Sequence, residues 1–221
     1  MTTEQSRESG TSVLPPDSTV EAGHLELETQ IGTRPRILYV VAERHALETE
    51  DITNRVQAEA QAVLAGAAFS PAWERLLRPL GAWSYAVHHG VRDLYLIDDV
   101  AAATGLRYVS VVSAGTSGRS NPSPLRRVIE NTEPDLIVCA GCEAVYWPLV
   151  GTLGLRNELL TRAFGEPIYY SQLENRSNTA VLLHFWHPGH GDYIEGGHAY
   201  LFKLFLHAYS ALCRKHILQT G

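Results

Sequence analysis

Residues 36–42 read R-I-L-Y-V-V-A. The run is short, continuously apolar and rich in β-branched side chains, with no polar alternation. It predicts a strand buried on both faces. Three later stretches repeat the pattern: 106–113 (L-R-Y-V-S-V-V-S), 135–140 (D-L-I-V-C-A) and 179–186 (T-A-V-L-L-H-F-W). Helical spacing fills the intervals. Thr53 is placed to cap a helix over 53–66 that carries Val56, Ala60, Val63 and Leu64 on one face. Ser70-Pro71 opens a second, with Trp73, Leu76, Leu77 and Leu80 along one side. Further helices are expected over 92–104, from Pro124 to Asn131, from near Cys142, and over 196–216. Buried strands alternating with helices predict an α/β fold. The expected form is a three-layer α/β/α sandwich with a short, mostly parallel four-stranded central sheet.

In such a sheet, ligands bind beyond the carboxyl ends of the strands. Those ends are 42–46, 113–124, 141–143 and 187–191, and Gly, Pro, His, Ser and Asn collect there. This coincidence marks the candidate site. The chain outside it divides simply. Residues 1–33 are rich in Ser, Thr, Glu, Pro and Gly and read as a disordered acidic tail, leaving 34–221 as one domain.

Composition narrows the class. The formal net charge is −6, but the tail holds six acids and one base, so the body carries 18 acids against 17 bases and is near neutral. All the bases but Lys203 and Lys215 are arginines, which suit bidentate phosphate contact. A GC-rich genome produces the same bias, so the charge permits nucleic-acid binding without demanding it. Three cysteines, Cys139, Cys142 and Cys213, do not make a secreted disulfide framework. No apolar run is long enough to span a membrane, and the N-terminus lacks signal-peptide character. The expectation is a cytoplasmic protein without a membrane partner.

Three motifs, taken in order, resemble the uracil-DNA glycosylase superfamily. The first is the strand, loop and helix Y-V-S-V-V-S-A-G-T-S-G-R-S-N-P-S-P-L-R-R-V-I-E at 108–130. The second is E-P-D-L-I-V-C-A-G-C-E-A at 133–144, and the third L-L-H-F-W-H-P-G-H at 182–190. The resemblance covers about residues 36–217. It implies a DNA glycosylase that flips a nucleotide into a pocket and hydrolyses its N-glycosidic bond. His187 would stabilise the departing base, and Glu43 would position water, with His45, Glu48 and Asp51 as rivals for that role. Ser113, Asn121, Trp186 and His45 would line the base pocket. Arg119, Gly141, Gly189, His190 and Tyr193 would meet DNA, the last two as candidates to fill the gap left in the base stack.

Two departures bear on the substrate. The segment V-A-E-R-H-A-L-E-T-E-D at 41–51 lacks the Gly and Pro of the superfamily's first loop. No Asn stands where many members read uracil; Ser110 or Ser113 is nearest. Both suit a bulkier pyrimidine, such as the glucosylated hydroxymethylcytosine excised by some defence members of the superfamily. No cofactor is expected: iron–sulfur members use four cysteines, and no Lys falls at a strand end to form a Schiff base. DNA is the expected partner and a monomer the expected state. Two rival readings are a metal-dependent hydrolase built on His184, His187 and His190, and an inactive DNA-binding module of the same fold.

Overall fold

A computed structural model describes residues 35–43, 50–115 and 122–218. The acidic tail lies outside the described residues. The four apolar runs form β1 (Ile37–Glu43), β3 (Val109–Gly115), β4 (Leu136–Ala140) and β7 (Thr179–Phe185). They are mutually parallel and adjacent in the order β3-β1-β4-β7.

The sheet itself has seven strands, not the expected four. A two-residue strand, β2 (Glu50–Asp51), pairs antiparallel with β3 at one edge. At the other edge β5 (Glu158–Ala163) and β6 (Glu166–Glu174) form a hairpin, and β6 pairs antiparallel with β7. The hairpin turn is Phe164-Gly165, with φ of 53° and 87°. Positive φ at both central residues matches the twist of the flanking strands, and Gly165 adopts it without steric cost.

Two cores flank the sheet. Ile37, Tyr39, Val41, Val138, Leu183 and Phe185 face one side. There they meet α1 (Thr53–Leu64), α2 (Arg78–His89), α3 (Asp99–Leu106) and α6 (Gly197–Arg214). Trp83 anchors this layer, stacked on Phe205 at 5.0 Å and edge-on to Phe185 at 5.2 Å. Such pairs add about 0.5–1.5 kcal/mol each beyond the area they bury. Leu38, Val40, Ile137, Cys139 and Leu182 face the other side, under α4 (Pro122–Thr132) and α5 (Cys142–Leu153).

Two local expectations change. Thr53 is not the cap of α1. Its hydroxyl accepts from the Val111 amide at 3.0 Å, and the Asp51 carboxylate accepts from the Thr53 amide at 2.9 Å. The segment expected as one helix over 92–104 is a 3-10 turn, Leu94–Leu96, followed by α3, because the Asp98 side chain caps α3 at the Ala101 amide. Among the described residues no helix is long and apolar enough to cross a membrane.

Candidate functional site at the carboxyl edge of the parallel strands

Parallel register sets the rim. Glu43 pairs with Gly115, Ala140 with Val41, and Ala140 with Phe185, so β4 and β7 end level with each other while β1 and β3 run two residues further. Adjacent strands lie about 4.8 Å apart, which puts the ends of β1 and β7 roughly 10 Å from each other across β4. The end of β4 occupies that interval. Its floor is made of small residues. Gly141 follows β4 at φ 110°, and a Cβ there would stand 2.7 Å from the Ala42 Cβ. Its amide donates to the Phe185 carbonyl at 3.0 Å, tying the floor to β7. That amide is therefore spent inside the sheet. The anion-facing amides at this point are those of the first turn of α5, which intrahelical bonding leaves open.

Beyond β7 the chain turns through a short 3-10 segment, Pro188–Asp192, with His187 as its N-cap. The Gly189 amide donates to His187 Nδ1 at 3.1 Å, and the His190 amide donates to the His187 carbonyl at 2.9 Å. An Nδ1 that accepts carries no proton, so a neutral His187 bears its hydrogen on Nε2. The same bond corrects the expectation for Gly189. Its amide orients His187 and is not free for a phosphate. His190 and Tyr193 project from this turn, and Tyr193 is 86% exposed. Asp192 accepts from, or pairs with, His198 Nε2 at 3.0 Å at the start of α6, which holds the far end of the turn.

The other expected residues distribute as follows. Ser113 lies on the Tyr39 and Val41 side of the sheet, buried, and its Oγ has no hydrogen-bond partner among the described residues. A buried hydroxyl without a partner is costly and rare away from functional surfaces. Ser110 sits three residues earlier, away from the rim. Trp186 is half-buried and edge-on to Phe185 at 5.3 Å, beside His187. The backbone of Glu43 ends β1 at the rim. Its side chain, together with His45, Glu48, Arg119 and Asn121, lies outside the described residues. The rival Asp51 accepts from the Thr53 amide at 2.9 Å and pairs with Val112, one residue before Ser113.

His184 does not share the site. It faces the α5 side, ringed by Tyr146 at 5.0 Å, Trp147 at 5.5 Å and Tyr169 at 5.8 Å. Burial lowers its pKa to about 4. The expected rival trio of His184, His187 and His190 is therefore not gathered. Among the described residues no three His, Cys, Asp or Glu side chains cluster as a metal would require.

One neighbour of the site was invisible to sequence periodicity. Residues Trp73–Leu77 form a π-helical turn leading into α2. α2 runs antiparallel to β1, since Ser84 bonds Tyr39 at 2.9 Å and His88 bonds the Pro35 carbonyl at 3.2 Å. The π turn therefore sits at the carboxyl edge, where it packs against Pro188–Asp192. The cavity lined by Arg126, Glu130, Leu149, Leu173 and Arg176 lies at the opposite, amino end of the strands and has no part in this site. No family model matches the chain, and no characterised protein matches it.

Proposed function

We propose that the chain is a monofunctional DNA glycosylase. It flips a modified pyrimidine, bulky modified cytosine or uracil, into the carboxyl-edge pocket and releases it to leave an abasic site. The observation that carries this reading is the Gly189 amide donating to His187 Nδ1. With Nδ1 accepting from the Gly189 amide, a neutral His187 carries its ring hydrogen on Nε2, the atom that would donate to the base. A neutral donor is what a base leaving as an anion needs at its carbonyl oxygen.

The bond changes balance with water alone. A water oxygen bonds to the sugar C1′, and the electrons of the C1′–N bond depart on the base. Glu43 takes one proton of the water, the base anion is held by the His187 N–H, and the proton on Glu43 passes through solvent to the released base, restoring the carboxylate. Gly141 lets the end of β4 pack directly against Ala42 of β1, so no side chain rises from the rim at that point. The two lysines support a purely hydrolytic step. Lys215 donates to the Leu160 carbonyl beyond α6, and Lys203 lies within α6.

The test is base release in the presence of EDTA from three DNAs: plain, uracil-containing, and carrying glucosylated hydroxymethylcytosine. Abasic sites in a modified DNA alone are the expected result and name the base. No abasic sites in any of them, with some other cleavage restored by added metal, overturns the reading. Release from uracil DNA alone removes the bulky-cytosine assignment and keeps the glycosylase.

A further inference from the structure

The π-helical turn brings an unassigned cation to the rim. π-Helical turns are rare and cluster at functional sites, because the extra residue per turn redirects the side chains that follow. Here the turn spans Trp73–Leu77, and Arg75 is at its middle. A Cβ built on Gly189 would lie 3.9 Å from the Arg75 carbonyl oxygen, so the backbone of Arg75 runs directly beside the His187 turn. The Arg75 side chain is exposed and has no hydrogen bond or ion pair among the described residues.

Its neighbours are engaged. Arg78 Nε donates to Asp99 Oδ1 at 2.8 Å, and the Trp73 indole donates to the same oxygen at 3.2 Å. Asp192, across the interface, is held by His198. The nearby acids that would otherwise neutralise Arg75 thus have partners of their own, except its chain neighbour Glu74, which is also exposed.

We propose that Arg75 binds a backbone phosphate of the DNA strand whose base enters the carboxyl-edge pocket. The inference rests on the glycosylase reading for the identity of the anion. An exposed arginine whose backbone lies against the turn that bears His187 can reach a phosphate there and hold the strand in register without reading its sequence.

The experiment is fluorescence anisotropy of the full chain on a labelled duplex carrying a tetrahydrofuran abasic analogue, between about 50 and 200 mM KCl. Arg75→Ala should weaken binding alike on different sequences and lower the slope of log K against log salt by about 0.9, the value of one phosphate contact. Arg75→Lys should keep the wild-type slope. Arg176→Ala, an exposed arginine at the amino end of the strands, should leave slope and affinity unchanged. A wild-type slope in Arg75→Ala overturns the contact while the glycosylase reading stands. Failure of the wild-type chain to bind any of the duplexes overturns that reading and the contact with it.

Discussion

Two residues separate His184 from His187, and the two imidazoles have opposite surroundings. His184 is inside β7, where strand alternation turns it toward α5 and into a ring of Tyr146, Trp147 and Tyr169. Its Nδ1 is buried without a hydrogen-bond partner, and burial keeps the ring neutral down to about pH 4. His187 stands past the strand end, where its Nδ1 accepts from Gly189 and a proton is left for Nε2. One histidine is packing, and the other is a polar group held in a chosen orientation. What each histidine can offer follows from its place relative to the strand end, not from histidine content.

The sharpest way to break this comparison is to remove the donor and keep the turn. His187→Ala should lower base release by about 10²–10³-fold, the usual loss when one preorganised donor to a developing anion is deleted. The same change removes a helix cap and should cost no more than about 1 kcal/mol of stability. His187→Asp separates the two effects. A carboxylate still caps Gly189 but cannot donate to the leaving base, so stability should return while activity stays lost. Single-turnover base release and urea denaturation measure both. Recovery of activity in His187→Asp would mean that the residue serves only to shape the turn.

The next effect falls on the floor between the two histidines. Gly141 bonds the carbonyl of Phe185, the residue between His184 and Trp186. At φ 110°, with Ala42 only 2.7 Å from where a Cβ would be, Gly141→Ala forces backbone movement. The expected loss is about 2–3 kcal/mol, from overpacking and an unfavourable φ together. A shift in the urea midpoint without a change in m would show it. A neutral outcome would mean the strand ends are slack and the register of His187 is not set by β4.

His184 supplies a pH test. Its folded pKa of about 4 lies below the ordinary 6.5, so below pH 6.5 the unfolded chain binds a proton that the folded chain refuses. Stability from this group is therefore present above pH 6.5 and is lost as pH falls toward about 4. The ring is partly exposed, and solvent screening reduces the effect to about 1–2 kcal/mol. His184→Phe should flatten the stability profile between pH 6.5 and 4 relative to wild type and leave base release at neutral pH unchanged. A fall in activity would mean that His184, too, belongs to the site.

These contrasts explain how much the sequence could reveal. All four parallel strands were legible because full burial on both faces demands continuous apolar runs, and each of those runs is a strand. β5 and β6 were not, because Glu158–Ala163 and Glu166–Glu174 mix polar and apolar side chains at a half-covered edge. A signal was present in the two-residue Phe164-Gly165 link between them, a spacing that marks a tight hairpin. The rim itself was legible from its Gly, Pro and His. Its neighbour Arg75 was not, since Trp73, Leu76, Leu77 and Leu80 fit an ordinary helical stripe. The π turn that brings Arg75 against Gly189 depends on packing between elements far apart in the chain. The engagement of Gly189 with His187 is local, but it depends on the imidazole rotamer, which H-P-G-H-G alone does not specify.

The smallest effect on the fold is expected at Tyr193, on the turn that His187 begins. With 86% of the residue exposed, Tyr193→Ala removes almost no buried surface and should change stability by no more than about 0.5 kcal/mol. If the ring fills the space of a flipped base, its contribution depends on the substrate. A paired duplex must be unstacked and unpaired, and a single strand has far less to lose. Tyr193→Ala should therefore slow base release from duplex DNA and leave release from single-stranded DNA near the wild-type rate. Equal slowing on both substrates would assign Tyr193 to the pocket itself, beside His187, and would move the division between packing and chemistry one turn further along the chain.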